Sequence, residues 1–442
     1  MSKLFALIFA LCNCCLYAQL PVVSIPKVSS LGRVDTHPYS SSSPSAPSIN
    51  KPSQFGSYDQ DKLLQQRQRA RREINEAIVS MRETEQRQST VLHLIKHGFP
   101  SWANEQGTEN FRDVYQELKG MLNDSIPLNL ERAVFLIENA YNGNILDFEM
   151  YRNNIEERVG YCKWRMKELK LNPNDGLAKN MAIFSLLTDT LNIKQPGTEK
   201  MVTHYPLKYN LDDYDSKKDY TSHFVTTLLS TNVGQCYSMP LLYLIMAERL
   251  GANAYLSLAP HHSFVKIQDD KGAWYNLELT CRSILSDYHY LNNSYIKSEA
   301  IRNKLYLTPL SKKETIASML VILGKYYQKK YGYDPFVLDC MHEAKQHFPT
   351  SIDAKMMEAD YETRLTLEIA RLLNTPNPEM MRKVSPDAYK HYERMQELYK
   401  EIDDSGYEDM PQEIYERWLK HVDKLKNEDL RSSQSVVRKI VK

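Results

Sequence analysis

Between Asp59 and about Gln88, apolar residues return at three- and four-residue steps, at Leu63, Ala70, Ile74, Ala77, Ile78 and Met81, with Arg67 in the same row and charges between them. This period predicts an amphipathic helix. Helical periods also run over 128–140 and 147–171, separated by the turn signals Asn142-Gly143-Asn144 and Asn172-Pro173-Asn174-Asp175-Gly176. The pattern then changes. Residues 237–250 are apolar on nearly every side and stop at Gly251, which predicts a buried helix with Cys236 at its start. Three short extended stretches follow, 254–258, 263–267 and 274–279, the last two joined through Asp269-Asp270-Lys271-Gly272 as a hairpin. After about Asp287 helical periods return, and an Asn/Pro break over 374–378 precedes two more amphipathic helices at 386–402 and 411–426.

This order predicts an α+β chain in which a buried helix packs on a small antiparallel sheet between two helical regions. Residues 1–18 read as a secretory signal: Lys3, an apolar run over 4–16, then Leu16-Tyr17-Ala18 before Gln19. The run is too short to span a bilayer core of roughly 20 residues, and no later stretch is longer, so no transmembrane segment is expected. The residues before Cys12, Cys14 and Cys15 lack the small-residue pattern of a lipoprotein signal, which favours cleavage over lipid anchoring and an exported protein, periplasmic or extracellular. Residues 19–57 are Ser/Pro-rich and read as a disordered linker. An N-terminal helical region over 58–196, a core over 197–286 and a C-terminal helical region over 287–442 complete the division.

With 56 Lys+Arg against 55 Asp+Glu, the chain has a net charge of +1 and no basic domain to neutralise phosphates. Nucleic acid is therefore not expected as a partner. The cluster Arg67, Arg69, Arg71 and Arg72 is followed by Glu73, Glu76, Glu83 and Glu85 and reads as a solvated helix face. His93 and His97 stand four apart but lack a third ligand at a metal spacing. Beyond the signal only Cys162, Cys236, Cys281 and Cys340 remain, too few and too far apart for a disulfide framework.

Cys236 carries the chemistry to be tested. A thiol at a helix N-terminus meets the positive end of the helix dipole and unpaired backbone amides, both of which favour thiolate. The hairpin offers a base and an acid. Centred on Asp270, it would place His262 opposite Glu278, Phe264 opposite Asn276 and Lys266 opposite Trp274, with Ser263, Val265 and Ile267 on the other face. An imidazole beside a carboxylate is what a catalytic histidine needs to fix its tautomer and stabilise its cation. His261 points to the opposite face and is read as a site neighbour or a structural residue. Adjacent strand residues facing opposite ways also exclude a metal on His261 and His262 with Cys236.

Gly234-Gln235-Cys236 with the aromatic Tyr237 and a long apolar helix, then His262-Ser263-Phe264-Val265, then Trp274 with an acid four residues on and Thr280 two later, resemble the motifs of the transglutaminase-like superfamily. The resemblance covers about residues 222–282, and Glu278 stands where that family commonly has Asp. It implies a papain-like core with Cys236 as nucleophile, His262 as general base and acid, and Glu278 as its orienting group. It also implies oxyanion stabilisation from the Cys236 backbone N–H with Gln235, no cofactor and no metal. Asn276 is the alternative orienting group, and Trp274 either roofs the site or packs across the hairpin. Leu323-Gly324, Tyr327, Phe336, Cys340, Ala344 and Pro349 are similar to a tetratricopeptide unit with one residue inserted, and Ala354, Ala359 and Tyr361 to a degenerate second one. The expected function is an exported cysteine enzyme acting on amide bonds of peptide, protein or cell-envelope material, by hydrolysis or acyl transfer. The alternative is a catalytically inactive scaffold or protein-binding module whose C-terminal helices meet a partner.

Overall fold

The computed structural model describes residues 57–194, 198, 200–214, 216–409, and 411, 413, 416, 420 and 424. The expected signal and nearly all of the linker lie outside the described residues, as does most of the helix expected over 411–426. The chain divides after Asn75 into two compact units. Of the first, the described part is the beginning of α1 (Ser57–His97).

In the second unit, α1 finishes with Val91 and Leu94 buried, and four helices follow: α2 (Thr108–Leu122), α3 (Leu130–Tyr141), α4 (Phe148–Glu168) and α5 (Gly176–Thr188). Asn129, Asp147 and Asp175 start the last three by accepting first-turn N–H groups with their side chains, which satisfies donors that a helix end leaves unpaired. Two short ribbons come next. β1 (Leu191–Lys194) pairs antiparallel with β2 (Met201–His204), and β3 (Lys208–Tyr209) pairs parallel with β4 (Val233–Gly234) beyond α6 (Val225–Thr231). Then come α7 (Ser238–Leu250) and a four-stranded antiparallel sheet, β5 (Tyr255–Ala259), β6 (His262–Gln268), β7 (Trp274–Glu278) and β8 (Ser283–Leu285), in sequential order. The short helices α8 (Asp287–Asn293) and α9 (Ser298–Arg302) lead to α10 (Lys312–Tyr331), α11 (Pro335–His347), α12 (Ile352–Leu373), α13 (Pro378–Val384) and α14 (Pro386–Asp404). The second unit is thus α+β and mostly helical.

Every residue of α7 from Ser238 to Ala247 is buried, and the helix ends at Gly251, whose φ of 65° is the left-handed cap the sequence predicts. One face of the sheet, with Leu256, Val265, Ile267 and Leu277, shares the main core with α7. Its other face is covered as well, by a second cluster of Phe264 with Tyr290, Ala300, Leu305 and Leu307. Residues 263–267 are therefore all buried, where an exposed second face would have alternated. α10 and α11 approach closely at Gly324, where an added Cβ would stand 2.7 Å from Met341 Cε and 3.3 Å from Cys340 Cβ. Among the described residues no helix is long and apolar enough to cross a membrane.

Candidate active site

The segment before α7 is tied down by backbone pairing. Val233 and Gly234 lie beside Lys208 and Tyr209, and Asn210 N donates to Gly234 O at 2.9 Å. Gly234 has no room for a side chain, since a Cβ would fall 2.8 Å from both Leu228 Cδ1 and Ser238 Oγ. Cys236 then sits partly exposed, two residues ahead of the helix, and Ser263 Oγ of β6 donates to its carbonyl at 2.7 Å. Its own N–H and that of Tyr237 find no acceptor among the described residues.

β5 and β6 are joined by a two-residue turn, Pro260-His261, with Ala259 paired to His262. His261 has φ 54° and is exposed, so it occupies the left-handed position of the turn and does not lie on a strand face. His262 opens β6 and holds Glu278 of β7 through Nε2 to Oε2 at 2.6 Å. The two are not directly opposite, as the sequence reading had them. Lys266 pairs with Asn276 and Gln268 with Trp274, so the ladder runs two positions further along β7 and makes His262 and Glu278 diagonal neighbours. The turn explains the shift: Asp269 Oδ1 accepts Lys271 N and Ala273 N, and Gly272, at φ 84°, takes the left-handed position, moving the centre to Lys271. A displacement of two preserves the face, so both side chains still share one side.

Glu278 is almost fully buried and its carboxylate is saturated. Besides His262, Oε2 accepts Tyr290 Oη at 2.9 Å, while Oε1 accepts Thr280 Oγ1 at 2.6 Å and Thr280 N at 3.1 Å. Burial works against ionisation of Glu278, but the His262 cation and these donors outweigh it and hold the carboxyl below its usual range. Burial likewise opposes charge on His262, yet the Glu278 carboxylate and a hydrogen bond with the Cys236 thiol raise its pKa well above the ordinary histidine value. With Nε2 committed to Glu278, Nδ1 is the ring nitrogen left for the thiol.

The other residues singled out by sequence take different places. Gln235 is buried and donates one N–H of its Nε2 to the Asp213 carbonyl, which braces the loop ahead of Cys236. Asn276 donates to Asp287 Oδ1 at 2.8 Å, beside Lys266 Nζ on the same oxygen at 2.8 Å, and so anchors the start of α8 and does not orient His262. Trp274 is exposed at the far end of β7, edge-on to Tyr255 with ring centroids 5.6 Å apart, and roofs nothing at Cys236. Cys162, Cys236, Cys281 and Cys340 are all unpaired. Burial and the Glu278 charge raise the Cys281 thiol, and burial pushes Cys162 up to about 12.

Sequence reasoning missed Tyr290 as a member of this cluster. Its ring stacks on Phe264 with centroids 4.2 Å apart, and its hydroxyl reaches the acid from α8, an element whose docking no local pattern announces. Thr280 carried a local signal, because a hydroxyl two residues past an acid can turn back onto it. No protein-family model matches the chain, and neither a curated protein nor a solved structure is similar to it.

Proposed function

We propose that this protein is a transglutaminase-like cysteine enzyme acting on amide bonds, with Cys236, His262 and Glu278 as its triad. The observation that carries the reading is His262 bound to a buried carboxylate that Tyr290 and Thr280 saturate, with the Cys236 thiol ahead of a buried helix among the groups that raise the imidazole's pKa. In this reading α7 against the β5–β8 sheet is the transglutaminase-like core, and α10–α12 form a tetratricopeptide-like support that offers a partner surface.

In this reading each step falls to a named group. Cys236 Sγ, its proton already handed to His262 Nδ1, attacks the carbonyl carbon, and the N–H groups of Cys236 and Tyr237 are available to the oxyanion that develops. Collapse breaks the C–N bond, His262 returns the proton to the departing amine, and a thioester remains. Water then gives hydrolysis and a second amine gives transfer, with His262 again as base. Glu278 stays ionised throughout and holds the ring. The substrates this suits are peptide, protein or cell-envelope amides met outside the cytoplasm.

The test is alkylation of the reduced protein by iodoacetamide from pH 5 to 9, with peptide mapping to separate Cys236 from the other thiols. Cys236 is expected to react faster than the other thiols and to lose that reactivity in His262→Ala. An inert Cys236, or a profile indifferent to His262, overturns the enzyme reading and leaves the scaffold.

A further inference from the structure

Residues 61–90 of α1 are exposed without a break. Helices isolated in water are marginal, and most of their stability in proteins comes from packing an apolar face. This one has such a face. Leu63, Arg67, Ala70, Ile74, Ala77, Met81 and Thr84 follow one another at alternating steps of four and three, and Leu64 and Ile78 flank the row. Leu63 is 50% exposed, Ile74 58% and Met81 64%. The row keeps a seven-residue period, the signature of a coiled-coil seam.

We propose that this row is the seam of an antiparallel coiled coil between two copies of the chain, independent of any catalytic role. Charge selects both the partner and its direction. Residues 62–72 carry Lys62, Arg67, Arg69, Arg71 and Arg72 and no acid, whereas 73–85 carry Glu73, Glu76, Glu83 and Glu85 against the single Arg82. Parallel in-register pairing would set five cations against five; reversing one copy brings acids toward them. Side-chain size selects the register. Where Ile74 of one copy meets Ala77 of the other, Ala70 meets Met81 and Arg67 meets Thr84, so in these layers a large seam residue faces a small one, with Leu63 meeting Gln88 at the end. Arg67 then lies at the level of Glu83 and Glu85 of the second copy, and a charged seam residue with acids to answer it fixes register at some cost in stability.

Light scattering of the full chain at about 1 to 100 µM tests the assembly, a range in which coiled coils of roughly four heptads separate from monomers. A dimer is expected, and Ile74→Glu with Met81→Lys should weaken it by about 100-fold or more, since in this register the first sets an acid at the level of Glu76 and the second a cation at the level of Arg69 and Arg71 of the other copy. Both positions are exposed, so circular dichroism should show the fold intact. Direction is read by mild oxidation. Copies carrying Ala70→Cys should cross-link with copies carrying Met81→Cys, while Ala70→Cys alone stays at the background of the native cysteines. A monomer at every concentration, a dimer indifferent to the double variant, or self-cross-linking of Ala70→Cys overturns the proposal.

Discussion

His262 and His391 each hold a largely buried glutamate, yet the rest of their surroundings sends them in different directions. His391 of α14 meets Glu362 of α12 through Nδ1 at 2.5 Å and the Ile95 carbonyl of α1 through Nε2 at 3.0 Å. Both ring nitrogens face acceptors, so the ring is a cation that clamps three helices and has nothing left to exchange. His262 has a carboxylate on one side and, in the proposed reading, shares a proton with the Cys236 thiol on the other. In both rings the pKa is raised and a carboxylate is among the causes. A histidine–carboxylate pair is thus no site by itself; the third group decides whether it holds the fold or poises a nucleophile.

The largest separation between the two pairs should come from the same substitution made in each. Glu278→Gln keeps the shape but removes the charge that supports the His262 cation, and is expected to lower Cys236 alkylation at pH 6 by about 100-fold or more. Glu362→Gln should leave that alkylation unchanged and cost about 1.5 to 3 kcal/mol in urea unfolding, the range for a hydrogen bond to a charged group. Equal loss of thiol reactivity in both would erase the distinction.

Much of this contrast is legible in the sequence, and the parts that are not have physical causes. The apolar run before Gly251 announces α7 because a helix buried on all sides needs no polar face. The alternation of β6 and β7 puts His262 and Glu278 on one side whatever even register the hairpin adopts, which is why the pair survives the displacement of two. The turn centre escapes sequence reading, because several positions in Asp269-Asp270-Lys271-Gly272 suit a turn and only the Asp269 hydrogen bonds choose among them. Gln235 is singled out by its place beside Cys236 and Asn276 by the hairpin face it shares with Glu278. Their partners, Asp213 and Asp287, come from loops and helices whose docking is tertiary. The Lys266–Asp287 pair shows the same limit, since a lysine in a strand reads as solvent-facing until a second cluster covers it.

A smaller effect distinguishes the pairs by pH. The folded pKa of His391 lies above its ordinary value near 6.5, first through its hydrogen bond to Glu362. Its contribution to stability is therefore fully present below about pH 6.5 and is lost as pH rises through the folded value. Comparing urea midpoints of the wild type and His391→Gln at pH 6 and at pH 9 should show a gap that narrows at the higher pH. A gap independent of pH would mean that the ring serves by shape and not by charge.

The smallest expected change bears on what holds the acid. Tyr290→Phe removes one of four donors to Glu278 while keeping the ring that stacks on Phe264. Burial leaves the carboxylate no water to replace that donor, so stability should fall by about 1.5 kcal/mol, the low end for a hydrogen bond to a charged group because three donors remain. Thr280 still supplies two donors and His262 a third, so the charge persists and alkylation of Cys236 at pH 6 should drop by less than about tenfold, a difference worth up to ~1.4 kcal/mol. A loss as large as that of Glu278→Gln would show that the charge alone does not set the ring, and that α8 positions the imidazole through the tyrosine hydroxyl.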